Sequence, residues 1–133
     1  MFKNQIKRYT LSESSLINDA IKKLNSFKNK ILIILKKNND VIGVLTEGDI
    51  NKALDRGLLL DDKIKRVINK NFIYIQNEEN LTKFFYKKLH HDILHVPLIK
   101  NKKLKKIYFY EEIVNKINKN YLKKNYKTLI MAG

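Results

Sequence analysis

One feature constrains the fold of this chain more than any other: the sequence repeats itself at a spacing of 65 positions. Tyr9 to Leu24, YTLSESSLINDAIKKL, lies without a gap over Tyr74 to Leu89, YIQNEENLTKFFYKKL. The pairs Tyr9/Tyr74, Glu13/Glu78, Leu16/Leu81, Lys22/Lys87, Lys23/Lys88 and Leu24/Leu89 are identical. The same offset carries Lys30-Ile-Leu-Ile-Ile onto His95-Val-Pro-Leu-Ile99. Dropping two residues then sets GVLTEGDI, Gly43 to Ile50, over KIYFYEEI, Lys106 to Ile113. A duplicated unit this small buries its apolar face against its twin, so the chain should fold as two copies of one motif around shared apolar surface.

Each copy reads as β-α-β-β-α. In the first, Lys7 to Leu11 reads as extended, and Leu16, Ile17, Ala20, Ile21 and Leu24 fall at helical spacing, with Ser12 or Ser14 placed to cap the helix. The apolar run up to Leu35 is continuous and β-branched, as in a strand covered on both faces. A polar turn, Lys36 to Asp40, makes a hairpin with Val41 to Leu45, and a helix from Asp49 to Arg56 ends at Gly57. Leu58 to Lys70 is a connector with one amphipathic turn. The class is α/β (α+β), with repeats over residues 1–58 and 59–120 and a basic tail over 121–133.

The turn between the last strand and last helix of the first copy carries the chemistry. Asp49 at a helix start is first a cap for unpaired amides. Three residues earlier Thr46 adds a hydroxyl, and across a strand-to-helix turn the two could grip the vicinal hydroxyls of a ribose. The second copy has lost this pattern: Lys106 replaces Gly43, Phe109 replaces Thr46 and Glu112 replaces Asp49. A cleft built on Lys106, Phe109 and Glu112 should be weaker, altered or empty.

Composition removes several classes of function. The 133 residues hold no cysteine, which excludes disulfides, thiolate zinc sites and cysteine nucleophiles. His90, His91 and His95 are the only histidines and only Asp92 accompanies them, so no metal is expected. Ser12, Ser14, Ser15 and Ser26 suit caps and loops rather than a hydrolytic triad. The formal charge of +15 invites nucleic acid, but the cations are nearly all Lys, spread along the chain with no recognition helix or stacking motif. No apolar run reaches the roughly 20 residues of a membrane span, and the N-terminus lacks a signal-peptide core. A cytoplasmic protein is expected, with no nucleic-acid or membrane partner.

The order and duplication of the elements, the HVPLI strand and the G-h-x-T-x-x-D turn at Gly43, Thr46 and Asp49 together resemble a pair of CBS (cystathionine β-synthase) domains, a Bateman module, over about Met1 to Asn120. That resemblance implies a pseudo-twofold pair of small sheets whose clefts bind adenosine-containing ligands and regulate an attached domain. It implies that Asp49 accepts the ribose hydroxyls, that Thr46 contacts ribose or the first phosphate, and that Ile31 and the backbone around Tyr9 and Thr10 line the base. Lys65, Arg66, Lys105 and Lys106 are candidate phosphate neighbours. It also implies a homodimer.

The tail, Lys127-Thr-Leu-Ile-Met-Ala-Gly133, looks like the opening strand of a sugar-1-phosphate nucleotidyltransferase, whose glycine-rich loop would follow. The stop after Met-Ala-Gly is the end a chain cut there would have. The expected function is therefore non-enzymatic: a regulatory module sensing AMP, ADP or ATP, requiring no cofactor, ahead of a nucleotidyltransferase. The alternative is a ligand-free dimerisation or assembly module of that enzyme.

Overall fold

A computed structural model describes residues 6–28, 30–87, 95–116 and 118–119. The tail from Tyr121 to Gly133, and His90, His91 and Asp92, lie outside the described residues. In chain order the elements are β1 (Thr10–Ser12), α1 (Ile17–Asn25), β2 (Ile31–Leu35), β3 (Val41–Thr46), α2 (Glu47–Asp55), a 3-10 turn (Ile64–Arg66), α3 (Asn80–Lys87), β4 (His95–Lys100) and β5 (Lys103–Phe109). Residues 110–116 are again helical.

The first sheet has the order β1-β2-β3, with β1 parallel and β3 antiparallel to β2. The second is the β4-β5 hairpin, beside which Ile75 forms a parallel bridge to Leu98. The two hairpins lie against each other. Ile99, Leu104 and Ile107 join the core of the first repeat, while Val96, Tyr108 and Ile113 pack with Ile75 and Leu81 in a second cluster. β2, the central strand of the first sheet, is covered on both faces, which is why it reads as unbroken apolar sequence.

The hairpin tips meet edge on. Val41 N–H donates to the Lys102 carbonyl at 2.7 Å, and Lys103 Nζ reaches Asp40 Oδ1 at 2.6 Å and the Asn38 carbonyl at 2.5 Å. Lys103 beside the carboxylate holds the Asp40 pKa below its usual value.

Three local expectations change. Residues 6–8 form a helical turn rather than an extended stretch. Ser12 and Ser14 do not cap α1; their hydroxyls bond to each other at 2.9 Å. The helix start is instead closed by the connector, where the Asp62 and Leu60 carbonyls each accept at 2.9 Å from Ile17 and Asn18 N–H. Asp19 Oδ2 accepts from Leu16 N–H. Ile64, fully buried, pins that connector to the first repeat.

The third change is register. The strand-to-helix turns match as expected, with helix beginning directly after Thr46 and after Phe109. Their ladder partners are Ile31 and His95. His95 therefore stands where Ile31 stands, one residue from the alignment that the identities favour, and β4 repeats β2 at 64 positions rather than 65. A one-residue slip turns each side chain to the other face of a strand, and here the hydrogen-bonded ladder decides the register where identity counting cannot.

Candidate functional site

The Thr46 turn is built by a strand running straight into a helix. Thr46 is extended at φ −116° and caps α2. Asp49 N–H donates to Thr46 Oγ1 at 3.3 Å, while Asp49 Oδ2 accepts from both Thr46 N–H and Thr46 Oγ1 at 3.0 Å. This is a reciprocal capping box. Both bonds made by the carboxylate use Oδ2; among the described residues Asp49 Oδ1 makes none. Both residues are half-buried, so a carboxylate oxygen fixed in direction by the cap remains for a hydroxyl donor.

Gly43 explains the start of the motif. A Cβ there would run into Ile68 Cγ2 and lie 2.7 Å from the Asn69 carbonyl. Only a residue without a side chain admits this approach, which lets Val44 exchange backbone hydrogen bonds with Asn69 at 3.0 and 2.9 Å. Residues 68–69 thus lie along β3 next to the turn. Sequence reasoning passed over them, although the glycine inside a strand was the signal for a close backbone approach.

The remaining site candidates are divided by the fold. Ile31 pairs with Thr46, and its side chain is buried. Thr10 lies against a depression of about 330 Å³ with Lys7, Asn39 and Lys103, toward the hairpin tips. Tyr9 is buried with its ring 4.6 Å from Phe27 and 5.1 Å from Phe109. The turn of the second repeat is therefore the one that meets the Tyr9 ring.

Lys23 is a second residue that sequence reasoning missed. Its Nζ donates to the Lys7 carbonyl at 3.1 Å and the Thr10 carbonyl at 2.5 Å, tying α1 to the backbone around Tyr9. Burial, reinforced by the Lys7 charge, lowers its pKa.

In the second turn Lys106 Nζ sits 3.4 Å from Glu112 Oε2 and 4.6 Å from the centre of the Tyr108 ring. Of the phosphate candidates, Lys65 and Lys105 are exposed and Arg66 pairs with Asp62 at 3.1 Å. His95 is half-buried, and burial lowers its pKa. Among the described residues no group of three His, Cys, Asp or Glu is placed to hold a metal, and no helix is long and apolar enough to cross a membrane.

Solved structures share this arrangement across most of the chain. AcuB of Vibrio cholerae superposes with a TM-score of 0.71 at 18% identity, over 88% of each chain. The CBS domains of a transcriptional regulator from Streptococcus pneumoniae give 0.68 at 15% identity, over 82% of this chain and 89% of that one. The fold is that of CBS-domain proteins. Residues 5–56, the first repeat, match the family model described as CBS domain. A CBS domain protein from Pyrobaculum aerophilum, solved in complex with AMP, superposes at 0.64 with 17% identity over 81% of this chain and 88% of its own. An uncharacterized protein of Helicobacter pylori (strain J99) is 31% identical over 55 residues, 41% of this chain and 17% of that relative.

Proposed function

We propose that this CBS-fold chain is a regulatory module that binds an adenine nucleotide, AMP, ADP or ATP, at the Thr46–Asp49 turn. The observation that carries the reading is the half-buried Asp49 carboxylate, held by Oδ2 in its cap and with Oδ1 unbonded among the described residues. The complex of the Pyrobaculum relative with AMP supports the class of ligand. Ile31 and the stretch at 68–69, bridged to β3, flank the turn, and Lys65 or Arg66 would meet phosphate. The proposed target of regulation is a sugar-nucleotide-forming nucleotidyltransferase domain attached to the chain, a reading supported by the Lys127–Gly133 stretch. Regulation requires that the nucleotide bind two states of the assembly, proposed to be a homodimer, with different affinity. The chain itself would catalyse nothing.

One observation favours a second reading. The Thr46–Asp49 capping box is complete without a ligand, as expected if the turn only holds α2 and the repeats serve as an assembly module.

Calorimetric titration with AMP, ADP, ATP and GTP separates the two. A charge-assisted hydrogen bond contributes about 1.5–3 kcal/mol, so Asp49→Ala should weaken adenine-nucleotide binding by about ten- to a hundredfold. Asp49→Asn retains an acceptor for the cap and lacks the charge, so it should lose affinity while keeping stability. Absence of binding to every nucleotide would leave the assembly module.

A further inference from the structure

Tyr9 and Tyr74, superposed by the sequence repeat, do not share a station in the fold: Leu11 pairs with Ile34 and Ile75 with Leu98, which puts Tyr74 where Thr10 stands. Tyr9 is 6% exposed, and Tyr74 is 44% exposed beside Phe72. What covers Tyr9 is the turn of the opposite repeat: the Phe109 ring lies 5.1 Å away, tilted by 52°. Phe27 closes another side edge-on at 4.6 Å, and the Arg8 guanidinium stands 5.8 Å from the Tyr9 ring and 5.9 Å from that of Phe27. Phe109 occupies the station of Thr46, since both end a strand, precede a helix and pair with the first residue of the neighbouring strand. The carboxylate that would serve this turn, Glu112, is matched by Lys106 at 3.4 Å.

We propose that the Phe109 ring is the built-in occupant of the second of two pseudo-equivalent clefts, so that the chain takes a nucleoside only at Thr46–Asp49. Shortening Phe109 would uncover a flat aromatic-walled slot beside Tyr9 that admits a planar purine. A phenyl ring is close to a purine in thickness and apolar character, and tilted packing against Tyr9 is the contact a base would make. An apolar cavity left by removing a ring takes up a planar aromatic of similar size. The inference rests on the proposed nucleoside site only for the count of ligands; the uptake of a purine by the shortened variant stands apart from it.

The experiment is titration of residues 1–133 with adenosine, with cooperative thermal unfolding as the check on folding. Phe109→Ala should raise the stoichiometry from about one to about two per chain, and Asp49→Asn with Phe109→Ala should retain about one. Phe109→Leu, which keeps the slot filled, should stay at the wild-type value. If Phe109→Ala does not fold, Phe109→Val takes its place. A folded shortened variant that binds no more adenosine than wild type overturns the proposal. NMR titration of the wild-type chain gives an independent reading: adenosine should move the Thr46 and Asp49 signals and leave those of Tyr9 and Phe109 in place. Equal movement at both turns overturns it as well. Wild-type protein that binds no adenosine, beside a Phe109→Ala variant that does, would remove the nucleotide-sensor reading with its site at Thr46–Asp49 and keep Phe109 as the occupant of the second cleft.

Discussion

The two strand-to-helix turns share a backbone and differ in what their side chains do. At the first, Gly43 lets the backbone of residues 68–69 in, Thr46 and Asp49 cap each other, and a carboxylate oxygen stays unbonded among the described residues. At the second, Lys106 stands in place of the glycine, Phe109 packs on Tyr9 across the repeat interface, and Glu112 faces a lysine. One copy of a duplicated motif keeps a half-buried polar cap at these positions, and the other carries an aromatic ring packed on Tyr9 and an ion pair.

The largest effect that could break this comparison is steric. Gly43→Val places a side chain against Ile68 and the Asn69 carbonyl, so it should cost about 1–3 kcal/mol in urea unfolding. Lys106→Ala, at the matching station, should cost less than about 1 kcal/mol. Equal losses would mean that the glycine does not serve the close approach of residues 68–69. Next is the cap. Asp49→Ala should destabilise by about 0.5–2 kcal/mol beyond any effect on binding, whereas Glu112→Ala should stay within about 0.5 kcal/mol, as for a partly exposed ion pair. A reversal would assign the anchoring role to the second turn.

Smaller effects sharpen the comparison by pH. Ile31 does not titrate, but His95 at its station is held neutral by burial, with its pKa below the ordinary value. The unfolded chain takes up the proton first, so stability should be full above about pH 6.5 and fall as pH drops toward the folded-state pKa. His95→Gln should flatten that decline in thermal melts. The smallest effect concerns the clasp between hairpin tips. Lys103 lowers the Asp40 pKa, so that contribution is present above the ordinary carboxylate pKa and is lost as pH falls through the depressed one. Lys103→Met should reduce this acid-side dependence, to which Asn38 and Lys102 also contribute, and added salt should weaken it in the wild type.

Much of the fold was legible because it rests on local signals. The apolar β2 run, the polar hairpin turn and Gly57, which adopts a positive φ of 98° after α2, all lie where pattern and turn chemistry put them. The cap of α1 was not legible. Two serines stood in the right place, yet carbonyls from a connector more than 40 positions away close the helix. The register of β4 was misread for a similar reason: identities follow descent, whereas hydrogen-bond partners follow the sheet. For the candidate site, the Thr46–Asp49 pair was visible as a three-residue spacing, but its company was not. Tyr9 and Phe109 are 100 positions apart, and nothing local joins them.

By itself the sequence determined the duplication, the order of elements in the first copy and the chemical contrast between Thr46–Asp49 and Phe109–Glu112, because these depend on residue type and short spacing; in the second copy the expected first strand is reduced to the single bridge at Ile75. Only the tertiary structure decided that the Phe109 ring covers Tyr9, that residues 68–69 lie along β3 and that His95 takes the station of Ile31. Those facts depend on how two sheets face each other, and that is a packing choice made by the shared core as a whole rather than by any short stretch of chain.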